Sequence, residues 1–336
     1  MRKLLLPLGW LYGLVMEIRN LLFEMGVLPS RSFQMPIICV GNISVGGTGK
    51  TPHTEYIVNL FRQTKRVAIL SRGYKRKSKG YILADEHSTA EQIGDEPYQM
   101  KQKFADVCVA VDADRCEGIE NLMQIDPPLD LIVLDDAYQH RYVKAGMNIL
   151  LVDYNRLIYQ DHMLPAGNLR EPVHGSQRAD IIIITKCPMF ITPTEQRGIE
   201  KSLRLAPWQK IFYTNYTYAH TLNDYKEYKV LLVTGIGNPK QMESDLREFL
   251  DITPLHFSDH HKFTAKDIEL IKTTYKTMPG EKKIIMTTEK DATRLPNLGL
   301  PLCVLPIEVT FVNKDENIFN KIVTDYVEKN ARIISQ

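Results

Sequence analysis

Short apolar runs recur along the chain: PIICVG (36–41), RVAILS (66–71), DVCVAV (106–111), LIVLDD (131–136), NILLVD (148–153) and DIIIIT (180–185). Polar or amphipathic stretches of helical length separate most of them. Continuous Val/Ile/Leu strands without polar alternation are buried on both faces, which predicts a parallel sheet covered by helices, a doubly wound α/β domain. A second series, KVLLVTGIG (229–237), KIIMTTE (283–289) and LCVLPI (302–307), predicts a smaller α/β domain. The segment from Tyr213 to Glu227 is rich in Tyr, Thr and Asn and has no such run, so the inter-domain link is expected there. The expected division is an N-terminal helix (1–30), a core (31–216), a second domain (217–310) and a C-terminal helix (311–336) whose packing the pattern does not assign.

Residues Leu4 to Met16, LLLPLGWLYGLVM, form an apolar run preceded by Arg2 and Lys3 and closed by Glu17 and Arg19. It is too short to span hydrocarbon, which takes about 18–20 residues, and no small-residue cleavage site follows. Two readings remain. One is an interfacial helix, with the leucines, Trp10 and Tyr12 at headgroup depth and Arg2, Lys3, Arg19 and Arg31 in water or on anionic lipid. The other is an ordinary first helix on the core, which Pro7, Gly9 and Gly13 favour because they make a poor free-standing helix.

The 336 residues suffice for about two domains, and 44% hydrophobic with 24% charged residues excludes disorder and fibrous architecture. A net charge of +2 argues against nucleic acid as a partner of the whole chain. Cys39, Cys108, Cys116, Cys187 and Cys303 form no C-x-x-C pair, so neither disulfide nor zinc is expected.

The first strand runs into Gly41-Asn42-Ile43-Ser44-Val45-Gly46-Gly47-Thr48-Gly49-Lys50-Thr51, followed by the helix-like TEYIVNLFRQ. Glycines let backbone N–H groups turn around phosphate oxygens, and the helix N-terminus adds positive charge. Ser44 through Thr51 are therefore the candidate triphosphate-binding residues of a P-loop NTPase-like domain, with Lys50 on the β- and γ-phosphates and the Thr51 hydroxyl on Mg²⁺. Ser44 stands where the consensus has its first glycine. LIVLDD ends in Asp135 and Asp136, carboxylates that would organise Mg²⁺ opposite Thr51. The guanine signature N-K-x-D is absent, since ITKC (184–187) and TEKD (288–291) both fail it, so ATP is the expected nucleotide. The loop does not say whether water or an organic hydroxyl receives the phosphoryl group. Outside it, Gly94-Asp95-Glu96-Pro97, Asp112-Ala113-Asp114-Arg115 and Ser258-Asp259-His260-His261 are dense in polar groups; Asp95 doubles as a candidate helix N-cap, and a His–carboxylate dyad is a sharper reading of the last than a metal site.

With LPLGWLYGL, GNISVGGTGKTP, SRGYKRK, IGDEPYQ, DDAYQH, LPAGNLREP, TGIGNP, FSDHH and TTEKDA in this order, the sequence resembles the tetraacyldisaccharide 4'-kinase family nearly end to end. Ala137 departs from the glycine usual after the two aspartates. The resemblance implies transfer of the ATP γ-phosphate to the 4'-hydroxyl of a tetraacylated glucosamine disaccharide 1-phosphate, giving lipid IVA. It implies Asp95 as the base, assisted by His260 from the second domain after domain closure. It implies a monotopic location on the cytoplasmic face of the inner membrane, without an obligate protein partner. Arg72, Arg115 and Arg170 become candidates for anionic headgroups, and His140, next to the aspartates, for a contact in the site. The rival reading is an ATPase or metallochaperone-type switch driving a protein partner.

Overall fold

The computed structural model describes residues 2–218, 220–237, 239–259 and 261–334. The chain forms two compact units, Met1–Asn215 with Val309–Gln336, and Tyr216–Glu308. The first begins with α1 (Leu6–Glu24), β1 (Ile37–Gly41), α2 (Lys50–Phe61), β2 (Val67–Ser71), β3 (Ile82–Leu83), α3 (Ala90–Ile93), α4 (Asp95–Lys103), β4 (Cys108–Val111) and α5 (Arg115–Leu122). It continues through β5 (Leu131–Asp135), β6 (Met147–Asp153), β7 (Ile181–Thr185), α6 (Pro193–Leu203) and β8 (Lys210–Thr217). The second unit carries β9 (Lys229–Thr234), α7 (Pro239–Arg247), β10 (Asp251–His256), α8 (Ala265–Thr277), β11 (Lys283–Thr288), α9 (Glu289–Ala292) and β12 (Leu302–Leu305). The chain then returns through β13 (Glu308–Phe311) and α10 (Glu316–Ile334).

Among the described residues the larger sheet has the order β13-β8-β7-β6-β1-β5-β2-β4-β3, with every pair from β8 to β4 parallel and β3 antiparallel on the edge. All five residues of β1, β2, β5 and β7 are buried, as continuous apolar runs require. Alternate side chains feed two cores. Ile37, Cys39, Leu70, Ile132 and Leu134 face one; Ile38, Val40, Ile69, Val133 and Ile149 face the other, where α2 adds Ile57, Val58 and Phe61. The C-terminal helix closes this second core with Phe319, Val323 and Val327, spaced by four, and the Tyr326 hydroxyl bonds both the amide and the carbonyl of Ile37 at 3.0 Å.

The smaller unit is a parallel sheet of order β10-β9-β11-β12 with its own cores on both faces. Buried Asp291 ties its turns together by accepting from the Gly235 amide at 2.9 Å and from the Thr288 hydroxyl at 2.9 Å.

Two local expectations are corrected. The two units divide at Asn215/Tyr216, within Tyr213 to Glu227, but that segment is not free of strand: β8 runs to Thr217, and its Phe212, Tyr213 and Thr214 are buried. Aromatic and β-branched residues suffice for a strand near a sheet edge without an aliphatic run. Asp95 is not an N-cap; Gly94, at φ 95, ends α3 and precedes α4, and Asp95 is the first helical residue. A side chain at Gly94 would lie 3.1 Å from the Gly73 backbone, so glycine is required both by φ and by this close approach.

Candidate active site

In the larger sheet β1 lies between β5 and β6, the switch point of a doubly wound sheet, and the crevice beyond its carboxyl end is where such folds hold ligands. Val40 is in register with Asp135, so the glycine loop leaves the sheet beside Asp136. Gly41 has no room for a side chain, since a Cβ would lie 2.6 Å from the Tyr138 Cβ.

Gly46 and Gly49 adopt left-handed φ values of 101° and 86°, and Gly49 is the residue from which α2 starts. The Thr48 amide donates to Gly46 O at 3.0 Å, and Asn42 Nδ2 donates to the buried Thr48 hydroxyl at 2.8 Å. At Gly47 a Cβ would meet nothing within 4 Å, which leaves that stretch of backbone open to a ligand. The rest of the loop is anchored from outside. The Val45 amide donates to Asn168 O at 2.7 Å, Thr185 Oγ1 to Thr48 O at 2.9 Å, and the Lys186 ammonium to Gly47 O. Lys186 also pairs with Asp153 at 2.8 Å, and Arg156 reaches the same carboxylate at 3.5 Å. Buried His53, one turn into α2, bonds Gly49 O through Nδ1 at 2.8 Å and the Thr214 hydroxyl through Nε2 at 3.0 Å. Burial lowers its pKa to about 4, so it is neutral there.

Lys50 Nζ lies 3.7 Å from Asp136 Oδ2, and Arg170 lies 3.5 Å from Asp136 Oδ1. Arg170 also donates to Ser44 O at 3.1 Å and to the Asn42 side chain, so its guanidinium braces the loop against the acidic pair. Asp135 is buried and accepts from the Thr54 and Ser71 hydroxyls at 3.2 Å each. Burial first, then the charges of Glu96 and Asp136, raise its pKa, while Lys50 and Ser71 oppose them. Glu96, the second residue of α4, is thus within electrostatic reach of Asp135. Crowded carboxylates of this kind are a donor set suited to a hard divalent cation. Asp136 and Lys186 are non-glycine residues at φ 49° and 57°, a backbone strain concentrated at strand ends around the site.

Arg115 is buried, with Nη1 donating to Asp112 O at 3.3 Å and Ala113 O at 3.0 Å and its Nε without a partner. Burial and the nearby Arg72 lower its pKa. His140 is lowered to about 4, by burial first and Arg115 second. Arg115 thus lies within electrostatic reach of Arg72, Asp136 and Asp135, and His140 within reach of Arg115 and Arg72. His260 lies outside the described residues. Sequence reasoning does not reach Lys186, Arg156 and Asp153; the ITKC segment, which fails as a base-reading motif, is the available signal for Lys186.

The family profile of LpxK, tetraacyldisaccharide-1-P 4'-kinase, matches residues 1–328. The chain belongs to this family. It is similar to the tetraacyldisaccharide 4'-kinase of Phocaeicola vulgatus, 49% identical over 98% of this chain and 96% of that one. The corresponding protein of Bacteroides thetaiotaomicron is 47% identical over 98% and 94%. The fold is similar to a crystal structure of LpxK from Aquifex aeolicus in complex with ATP, with TM-score 0.77 and 30% identity over 97% of this chain and 99% of that one.

Proposed function

We propose that the chain transfers the γ-phosphoryl group of ATP to the 4'-hydroxyl of a tetraacylated glucosamine disaccharide 1-phosphate at a membrane surface. The observation that carries the chemistry is the meeting of Lys50, from the glycine loop, with Asp136, from the end of β5, at 3.7 Å. The names of the relatives support the acceptor. In this reading the amides from Ser44 through Thr51 cradle the triphosphate, and Lys50 neutralises charge that builds on the transferring group. Asp135, Asp136 and Thr51 would hold Mg²⁺, which supplies further charge neutralisation on the phosphates. Asp95 accepts the proton of the acceptor hydroxyl, and His260 supports it, roles that follow from the family resemblance. Arg72, Arg115 and His140 offer donors to the anionic acceptor. Arg170 holds the loop and Asp136 in register.

The membrane part of the proposal rests on α1. Its glycines are its inner face: a Cβ at Gly9 would lie 3.0 Å from Met163 O, and one at Gly13 would lie 3.4 Å from Met163 Cγ. Leu8, Trp10, Leu11, Leu14, Val15, Ile18 and Leu21 are all exposed. No described helix is long and apolar enough to cross a membrane. A helix packed through glycines with its leucines outward suits a lipid interface. It also touches the site's supports, since the Tyr12 hydroxyl donates to Arg170 O at 3.1 Å and Arg19 to Gln139 O at 3.2 Å. Arg31, counted among the lipid-facing cations from the sequence, instead pairs with Glu120.

The test is ATP turnover with and without the acylated disaccharide 1-phosphate in mixed micelles, with the product assigned by the position of the new phosphate. Acceptor-dependent turnover with phosphate at the 4' position is expected, and Asp95→Ala and His260→Ala should each lower it by roughly 10² to 10⁴. Phosphate release without a phosphorylated acceptor would defeat the reading.

A further inference from the structure

Asp114 caps α5 by accepting from the Cys116 amide at 2.8 Å and the Glu117 amide at 3.4 Å, both on Oδ1. That cap folds the carboxylate back over the first turn, beside the Cys116 thiol. The chain leaving β5 turns tightly after Asp136, with the His140 amide on Ala137 O at 2.7 Å and the Val143 amide on His140 O at 3.2 Å. The turn carries the His140 imidazole to the same place. One donor atom from each of Asp114, Cys116 and His140 lies within 4.8 Å of the other two. The His140 Nε2 is buried and has no hydrogen-bond partner, and the Cys116 sulfur has a weak contact, 3.5 Å, to Tyr142 O. The three residues line a cavity of about 380 Å³ together with Arg31, Ala113 and Tyr142.

We propose that Asp114, Cys116 and His140 bind a transition-metal ion of the zinc class, with water from the cavity as the fourth ligand. A sulfur, an imidazole nitrogen and one carboxylate oxygen form a borderline-soft donor set that suits Zn²⁺ and disfavours Mg²⁺ and Ca²⁺, which take oxygen throughout. The site is therefore chemically distinct from the acidic pair at the end of β5. Bonds of about 2.0–2.3 Å in a tetrahedron bring donors to roughly 3.5 Å apart, so the three side chains close by about 1 Å, within the reach of small χ rotations. Binding releases the Cys116 thiol proton to solvent, and thiolate, carboxylate and dication then sum to zero charge. An ion here joins the start of α5 to the Asp136–His140 turn. It takes His140 away from any acceptor, so occupancy lowers phosphoryl transfer. Metal binding by these three residues does not depend on the kinase reading. It departs from the sequence expectation of no zinc: Asp114 and Cys116 are 24 or more residues from His140, and no linear spacing announces the set.

The experiment is a Co²⁺ titration of the full chain, stripped of metal and kept reduced with a phosphine. One equivalent of Co²⁺ should produce a near-ultraviolet thiolate-to-cobalt band and intense visible bands of four-coordinate cobalt, both displaced by one equivalent of Zn²⁺ and not by millimolar Mg²⁺. Cys116→Ser should abolish the thiolate band. His140→Gln and Asp114→Asn, the latter keeping the helix cap, should each weaken Co²⁺ binding by more than about 10-fold while keeping that band. No thiolate band in the parent chain overturns the proposal, as does a band that survives Cys116→Ser and so belongs to another cysteine. If Cys116→Ser does not fold, His140→Gln decides alone, and unchanged Co²⁺ affinity in that variant overturns the site.

Discussion

Replacing His53 by glutamine tests how the base of the phosphate loop is held. The imidazole is buried, bonds Gly49 O and the Thr214 hydroxyl, and has its pKa lowered from 6.5 to about 4 by burial. A depressed histidine pKa means that the unfolded chain binds the proton first. The stability that comes from burying the neutral ring is complete above about pH 6.5 and is lost as pH falls towards 4. For one group with these two values, the loss between pH 7 and pH 5 is about 2 kcal/mol, from 1.36 kcal/mol per pKa unit over the part of the window that is crossed. Urea unfolding of the parent chain and of His53→Gln, followed side by side at pH 7, 6 and 5, isolates the term. Asp135 and His140 titrate in both proteins and cancel in the difference. The parent should lose about 2 kcal/mol more than the variant across this range. Parallel pH profiles would refute a neutral, buried His53, and a smaller loss in the parent would reverse its sign.

Lys186→Ala removes a charge-assisted bond to Gly47 O, worth about 1.5–3 kcal/mol, so KM for ATP should rise roughly 10- to 100-fold with a smaller change in kcat, and Lys186→Arg should recover part of it. A KM within about twofold of the parent excludes a role for Lys186 in shaping the loop. Gly41→Ala places a methyl group 2.6 Å from the Tyr138 Cβ. It should lower Tm through at least about 1–3 kcal/mol of overpacking, read by differential scanning calorimetry; an unchanged Tm contradicts the close approach. Leu11, Leu14 and Ile18 are 51–60% exposed. Changing all three to serine removes about 5 kcal/mol of apolar burial in a lipid interface, so co-sedimentation with anionic vesicles should fall more than about 100-fold while the circular dichroism spectrum stays the same; unchanged sedimentation rejects α1 as the anchor.

Much of the larger unit was legible because its information is local. The runs that became β1, β2, β4, β5, β6 and β7 are buried on both faces, and an apolar run registers that burial directly. The loop from Gly46 to Thr51 was legible for the same reason: glycines at left-handed φ followed by a lysine at a helix start depend on the backbone of one short segment. Strands at or near sheet edges, β3, β8, β10 and β13, carry mixed or half-buried patterns and escaped that reading. The orientation of α1 was also not written in its composition. Gly9 and Gly13 weaken an isolated helix, yet their missing side chains are what let it pack against Met163.

Residue order alone therefore determined the parallel sheet, the phosphate loop and the acidic strand end, since each is encoded by neighbours in the chain. Which side chains serve one another was decided by tertiary structure. Lys186 meets Gly47, Arg170 braces Asp136, and His140 reaches Asp114 and Cys116, because parallel strands deliver residues from distant segments to one edge of the sheet. Contacts of that kind depend on strand order and register, and no spacing along a single chain specifies either.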